Sequence, residues 1–121
     1  MKVLFVEYPK CSTCKKAKKW LDDNNIEYTY RNIKEQNPTC DEIKKWHDES
    51  KIPLRKFFNT SGLLYRSENI KEKLTNMNED EIIKTLASDG MMVKRPIVIY
   101  ENTVLVGFKE AEWSEKLLEN K

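Results

Sequence analysis

The hydrophobic period of the chain changes twice within its first third, and this order limits the folds open to it. Residues 2–8 (KVLFVEY) form a near-continuous apolar run, which is typical of a strand buried on both faces inside a sheet. From Ser12 onward, apolar residues such as Ala17 and Trp20 recur with helical spacing, and lysines fill most of the positions between them. Residues 26–33 (IEYTYRNI) alternate and predict a second strand. Strand, helix and strand in this order predict a βαβ unit.

Helical patterns fill the middle of the chain. Two capping boxes, each with a glutamate three residues after the cap, predict helices that begin after Thr39 and Asn78. The second of these helices is expected to stop at Gly90. A short helix is predicted with Pro53 at its first position, and another is predicted near residues 68–74.

Strand patterns return in the last third of the chain. Residues 95–100 (RPIVIY) and 103–108 (TVLVGF) are rich in β-branched residues. Only Glu101 and Asn102 separate them, which is the spacing of a tight hairpin. Residues 109–120 predict a closing helix. The full order is βαβ, then helices, then ββα, and it predicts an α/β fold.

Length, charge and hydropathy exclude several classes of protein. The 121 residues contain no linker or internal repeat, so 1–121 is expected to form a single domain. The chain has 22 basic and 20 acidic residues, and they are mixed along it, so no charged tail indicates a nucleic-acid partner. No run approaches the roughly 20 apolar residues of a membrane span, and the apolar start is too short for a signal peptide. We therefore expect a cytoplasmic monomer that binds neither membranes nor nucleic acid directly.

Cys11 and Cys14 lie three positions apart at the turn from the first strand into the first helix. In the reducing cytosol such a close pair is more often catalytic or metal-binding than a permanent bridge. Residues one helical turn apart have Cα atoms roughly 5–6 Å apart, a separation that a disulfide accepts. The positive helix end and its unpaired N–H groups favour a thiolate at Cys11. Cys11 is therefore predicted to be a nucleophile and Cys14 the resolving thiol, while Ser12 and Thr13 can donate hydrogen bonds to the thiolate.

Two other interpretations of the cysteine pair stay open. A zinc site needs two further ligands, and the candidates are Cys40 and the single histidine, His47. The spacing between these two residues is not a familiar zinc-ligand spacing, so no metal site is expected. Alternatively, Cys11 and Cys14 are two unreactive thiols that lie together at a helix start.

The segments YPKCSTCKKAKKWL, KRPI and VGFKEAEW occur in this order around a helical middle. This combination closely resembles the arsenate reductase (ArsC)/Spx family of the thioredoxin-like superfamily, and the resemblance covers nearly the whole chain. It implies a thioredoxin-like, four-stranded mixed sheet with a helical subdomain inserted at about 38–90. It also implies that Cys11 is the nucleophile, that Arg95 lies near it, and that Pro96 is a cis proline beside the site.

The chain departs from one group within this family. Glutathione-linked arsenate reductases use three arginines around the nucleophile, and only Arg95 matches cleanly here. The second arginine position falls at Asn59, with Arg55 one helical turn away, and the third falls near Gly107. Those enzymes also typically lack a second cysteine at the position of Cys14. The chain is therefore nearer to the C-x-x-C members, which include Spx-type regulators that bind RNA polymerase.

The leading prediction is a thiol–disulfide oxidoreductase that forms and reduces a Cys11–Cys14 disulfide. Arg95 would stabilise the thiolate or an anionic substrate. Pro96 would shape the substrate groove, and Arg55 would contact an oxidised or oxyanion substrate. An external thiol such as glutathione, or a thioredoxin or glutaredoxin, would reset the pair, and no other cofactor is expected.

Three alternatives accompany this prediction. The first is a glutathione- or thioredoxin-linked arsenate reductase that recruits Arg55. The second is an Spx-like redox-sensing regulator that binds RNA polymerase and turns over no substrate. The third is a family member whose cysteines have no redox role.

Overall fold

The computed structural model of the protein describes residues 2–118. Its strands and helices, in chain order, are β1 (Lys2–Glu7), α1 (Ser12–Asp23), β2 (Glu27–Asn32), α2 (Cys40–Ser50), α3 (Leu63–Ser67), α4 (Ile70–Lys73), α5 (Glu79–Ala87), β3 (Ile97–Tyr100), β4 (Thr103–Val106) and α6 (Glu110–Trp113). Short 3-10 turns lie at Leu54–Phe57, Leu74–Asn76 and Gly90–Met92, and a π-helical segment, Ser114–Leu118, continues α6. No helix in the described part of the chain is long and apolar enough to cross a membrane.

The chain divides into two compact units. The sheet unit combines the residues up to Asn32 with those from Arg95 onward, and the helical unit spans Ile33–Lys94. The helical unit is thus somewhat longer than the insertion predicted at about 38–90. That both units form one domain stays a prediction.

The sheet unit contains the predicted four-stranded mixed sheet, and its strand order is β2-β1-β3-β4. Strand β1 pairs in parallel with β2 and antiparallel with β3, so it is interior, as its apolar run indicated. Strands β3 and β4 form the predicted hairpin, in which Tyr100 pairs with Thr103 and Glu101 adopts a φ of 55°. Strand β3 begins at Ile97, two residues later than predicted, and Pro96 precedes it.

The core of the sheet unit lies between the sheet, α1 and the C-terminal helical segment. Trp113 is fully buried, and its ring lies 5.7 Å from that of Trp20 and 4.8 Å from that of Phe108. In β1, Val3 and Phe5 belong to this core cluster. Since successive side chains of a strand alternate between faces, Glu7 points to the same face of the sheet as these two residues.

Capping boxes define the two longest helices of the helical unit, as predicted. At α2, Thr39 Oγ1 accepts from the Glu42 N–H (3.1 Å), and Glu42 Oε1 accepts from the Thr39 N–H (3.0 Å). At α5, Asn78 and Glu81 form the equivalent pair of bonds. Each box satisfies backbone donors that the first helical turn leaves unpaired.

Several predicted helix boundaries in this unit are wrong. Helix α5 ends at Ala87 rather than at Gly90, which instead opens a 3-10 turn. An added Cβ at Gly90 would overlap the carbonyl group of Ile33, so close backbone approach explains this glycine. Pro53 caps a 3-10 turn and is not its first helical residue. The helix predicted near 68–74 is α4 with the 3-10 turn after it, and α3 was not predicted.

The predicted closing helix is confirmed in part. Helix α6 and its π-helical continuation together cover Glu110–Leu118. The last two residues of the predicted range 109–120 lie outside the described residues.

Candidate active site

Cys11 is the residue that caps the N-terminus of α1. Its backbone is extended, with φ −92° and ψ 123°, and its N–H donates to the Tyr8 carbonyl oxygen at 3.0 Å. Its own carbonyl oxygen accepts from the Lys15 N–H at 3.1 Å, which is the first hydrogen bond of the helix. The Cys11 side chain makes no capping hydrogen bond and is half-buried. The thiol therefore lies at the positive end of a 12-residue helix, where negative charge is stabilised.

Cys14 lies one turn further along α1, and its side chain is fully buried. Both cysteines are free thiols. Burial raises the pKa of Cys14 to about 12, with smaller contributions from Cys11 and from the Glu7 carboxylate, while the Tyr8 backbone opposes them. Cys14 is thus protonated at neutral pH. The pair therefore consists of a partly exposed thiol, Cys11, and a buried thiol, Cys14.

Arg95 and Pro96 lie in the same unit as the cysteines. The Arg95 guanidinium carbon is 5.3 Å from the centroid of the Tyr8 ring, a cation–π contact. The Tyr8 carbonyl oxygen also accepts from the Cys11 N–H, so Arg95 packs on the residue that shapes the turn into Cys11. The Arg95–Pro96 peptide bond is cis, the isomer that the family resemblance implied. The Pro96 carbonyl oxygen accepts from the Gly107 N–H at 2.8 Å, which ties the start of β3 to the end of β4.

The remaining predicted site residues occupy different settings. Ser12 and Thr13 are the first two residues of α1, and both are exposed. Arg55 is also exposed, but it belongs to a 3-10 turn of the helical unit. It is therefore not among the side chains that the sheet unit itself brings to the cysteines, and its contact with a substrate stays a prediction.

Glu7 was missed by the sequence reasoning. It is only 4% exposed, and it is the one charged residue that is buried among those whose side chains the structure describes. It lines a cleft of about 390 Å³ together with Pro9, Cys14, Lys15, Lys18 and Tyr30. The signal that would have found it is the alternation of Val3, Phe5 and Glu7, which puts a carboxylate on the core face of β1.

A possible set of metal ligands in the helical unit was also not predicted. His47, Asp48 and Glu79 have ligand atoms within 4.8 Å of one another. His47 Nδ1 is 2.7 Å from the Ile52 carbonyl oxygen, and the two carboxylates are exposed. Glu79 comes from another helix, so no local spacing in the sequence indicates the group.

A four-stranded mixed sheet with a cysteine pair at the start of its first helix and a cis proline before β3 defines a thioredoxin-like protein. The sequence model of the ArsC family matches residues 6–116. The chain belongs to this family, which confirms the resemblance seen in the sequence.

Its relatives include both regulators and reductase-like proteins. The chain is 50% identical to the uncharacterized protein YusI of Bacillus subtilis over 95% of its own length and 98% of that protein. It is 30% identical to the global transcriptional regulator Spx 2 of Bacillus anthracis, covering 84% of this chain and 76% of the regulator.

Two solved structures show the same fold. An ArsC family related protein of Bacteroides fragilis superposes with a TM-score of 0.91, at 55% identity, over 95% of this chain and 97% of the other. A protein described as a possible arsenate reductase of Streptococcus mutans superposes with a TM-score of 0.83, at 44% identity, over 88% and 91% of the two chains.

Proposed function

We propose that the protein is a cytoplasmic thiol–disulfide oxidoreductase in which Cys11 and Cys14 form the redox pair. The observation that carries the proposal is the pairing of the two thiols. Cys11 is partly exposed at the helix end, and Cys14 is buried one turn away in the same helix. An exposed nucleophile and a protected resolving thiol are the two groups that such chemistry needs.

The reaction begins when the Cys11 thiolate attacks one sulfur of a substrate disulfide. A Cys11–substrate disulfide forms, the substrate's own disulfide bond breaks, and the other half leaves as a thiolate. Cys14 then attacks the Cys11 sulfur, so a Cys11–Cys14 disulfide forms and the second half of the substrate leaves. Two equivalents of an external thiol, or one dithiol protein, return the pair to its reduced form.

Arg95 supports the nucleophile in this proposal. Its guanidinium packs on Tyr8, which bonds to the Cys11 backbone, so positive charge is held close to the thiolate's turn. The same charge would attract an anionic substrate. Ser12 and Thr13 at the first turn of α1 and Pro96 before β3 are the proposed substrate contacts, with Arg55 as a further one from the helical unit.

The roles of the two cysteines are tested by trapping the intermediate. The Cys14→Ser variant is expected to accumulate a mixed disulfide with an added substrate disulfide, because the resolving thiol is missing. The Cys11→Ser variant is expected to accumulate none. Intact-mass spectrometry under denaturing, non-reducing conditions measures both, in a Cys40→Ser background that removes the exposed third thiol. The reverse pattern would overturn the assignment.

Redox-dependent binding to RNA polymerase is a second candidate function, and the relatives named Spx favour it. In that case the Cys11–Cys14 disulfide is a switch rather than a catalytic intermediate. A pull-down with purified polymerase, performed with the oxidised and the reduced protein, separates the two functions. Capture in one redox state only, without turnover of a substrate disulfide, supports the regulator.

Arsenate reduction is the third candidate, because the structural relatives include a possible arsenate reductase. Arsenate would have to oxidise the Cys11–Cys14 pair in a manner that depends on Arg95. Thiol titration with and without arsenate, in the unmodified protein and in Arg95→Ala, decides this. An equal thiol count in all samples excludes the activity.

A further inference from the structure

His47, Asp48 and Glu79 come together from two helices of the helical unit. His47 and Asp48 lie near the end of α2, and Glu79 is the first residue of α5. The two helices pack against each other and are anchored by buried side chains, among them Trp46 and Leu86. The ligand atoms of the three residues, one from each, lie within 4.8 Å of one another. Two anchored helices therefore bring three groups that can bind a metal ion to one place.

The His47 ring is held by a hydrogen bond to a group outside this set. Lys51 ends α2 in a left-handed conformation with a φ of 63°, and the Ile52 carbonyl oxygen lies 2.7 Å from His47 Nδ1. A carbonyl oxygen can only accept, so Nδ1 carries the proton, and in the neutral ring the lone pair is on Nε2. Histidines that bind metals almost always donate their other ring N–H in this way. Nε2 is therefore the nitrogen that His47 offers to a metal ion.

The carboxylates of Asp48 and Glu79 have no competing partner. Among the residues that the structure describes, neither side chain forms a hydrogen bond or an ion pair. Both are exposed, so they can change rotamer at little cost. With metal–ligand bonds of about 2.0–2.2 Å, two ligands of a tetrahedral ion lie roughly 3.4 Å apart. A shift of at most roughly 1.5 Å would therefore bring the three ligand atoms to one ion.

The donor atoms select the class of metal. One imidazole nitrogen and two carboxylate oxygens are ligands that Zn²⁺ and its first-row neighbours accept, with water in the remaining position. Mg²⁺ and Ca²⁺ instead prefer sites built from oxygen atoms alone. Two carboxylates balance the charge of a divalent ion. The negative end of α2 near His47 favours a cation, whereas the positive start of α5 at Glu79 offsets part of this effect.

We propose that His47, Asp48 and Glu79 bind one divalent transition-metal ion of the Zn²⁺ type. His47 binds it through Nε2, and the two acidic residues each bind it through a carboxylate oxygen. The ion joins the end of α2 to the start of α5. The site lies within the helical unit, and it does not depend on the proposed thiol–disulfide function.

The chain contains a single histidine, which makes the test specific. Two-bond ¹H–¹⁵N correlation spectra of the reduced, ¹⁵N-labelled protein report Nδ1 and Nε2 of His47 separately, at a pH where the ring is neutral. The three cysteines also bind Zn²⁺, but the two ring signals report only on His47. With excess Zn²⁺ we expect the Nε2 signal to move while Nδ1 stays protonated. With the same excess of Mg²⁺ we expect no change.

Two substitutions test the carboxylates. Asp48→Asn and Glu79→Gln each remove one charged ligand, and each should raise the Zn²⁺ concentration needed for half of the Nε2 shift by about tenfold or more. Both side chains are exposed, so the fold should be kept. The matched control is Asp80→Asn, which removes the same charge from the exposed residue beside Glu79. It should change that concentration by less than about twofold, since exposed charges are screened.

Each result supports the site or overturns it. An Nε2 signal that does not move in excess Zn²⁺ overturns it. An unchanged Zn²⁺ requirement in both Asp48→Asn and Glu79→Gln also overturns it, because the ion is then bound by a lone imidazole. Equal weakening in Asp80→Asn would show a general effect of negative charge and would overturn the assigned ligands. A shift with Mg²⁺ equal to that with Zn²⁺ would overturn the class of metal.

Discussion

The sheet unit buries ionisable groups, whereas the helical unit uses polar groups mainly at its surface to begin its helices. In the sheet unit, Glu7 and Cys14 are both less than 5% exposed. In the helical unit, Thr39 and Asn78 form capping boxes at exposed helix starts, and Cys40 is an exposed thiol. Surface caps stabilise a helix locally, while a buried carboxylate and thiol do not stabilise the fold in this way. The difference agrees with the proposal that the redox pair belongs to the sheet unit.

The largest effect is expected from the core of the sheet unit. Trp113→Ala should lower the free energy of unfolding by about 3–5 kcal/mol, because a fully buried ring that packs edge-to-face with Trp20 and Phe108 is lost. Its Nε1–H also donates to the Gly107 carbonyl oxygen at 3.1 Å. Urea denaturation followed by circular dichroism measures the change. The control is Leu63→Ala in the helical unit, where an 84% exposed side chain should be nearly neutral.

A smaller loss is expected in the helical unit at Gly90. A Cβ at this position would overlap the backbone carbonyl of Ile33, and backbone cannot move aside cheaply. Gly90→Ala should therefore cost about 1–3 kcal/mol. Gly62→Ala is the matched substitution in the same unit, and there the nearest atom, at 2.6 Å, belongs to the flexible side chain of Asn59. Equal losses in the two variants, measured by the same denaturation, would contradict this account of Gly90.

The smallest expected effect is on stability at alkaline pH, where one cysteine from each unit is compared. Because burial raises the pKa of Cys14 to about 12, the folded state keeps this thiol protonated where the unfolded state loses the proton. Its contribution to stability is therefore complete below about pH 8.5, the ordinary thiol value, and is lost as the pH rises toward 12.

Denaturation at a series of pH values tests this linkage. Between pH 9 and 11, the stability of Cys14→Ala should fall less steeply than that of the unmodified protein. Cys40→Ala, which removes an exposed thiol of the helical unit, should leave the slope unchanged. Parallel slopes for all three proteins would show that burial of Cys14 does not contribute to the alkaline loss of stability.

Prediction from sequence succeeded where the signal is local. The strand periods, the two capping boxes and the two-residue hairpin each depend on neighbouring residues, and all of them were found. The turns of the helical unit were placed less well because distant residues hold them. The Asn59 N–H donates to the Met92 carbonyl oxygen at 2.8 Å, and the Lys94 N–H donates to that of Phe57 at 2.7 Å. No local pattern in the sequence predicts these long-range backbone hydrogen bonds.

The residues of the candidate site also fall into those with a local signal in the sequence and those without one. Cys11 and Cys14 were predicted because two cysteines three positions apart at a strand-to-helix turn form a four-residue motif that indicates redox chemistry. Arg95 and Pro96 were selected through the family resemblance, since neither carries a local signal strong enough by itself. Glu7 was missed because a charged residue at the end of an apolar strand becomes notable only when its burial is known.

By itself, the sequence determined the four strands, the two capped helices of the helical unit and the place of the thiols, because hydrophobic period, caps and turns act over a few residues. Only the tertiary structure decided that β1 lies between β2 and β3, that Arg95 packs on Tyr8, and that Glu7 and Cys14 share a cleft. These arrangements join residues far apart in the chain, or depend on how deeply a side chain is buried. They follow from the packing of the sheet unit as a whole, which no local pattern contains.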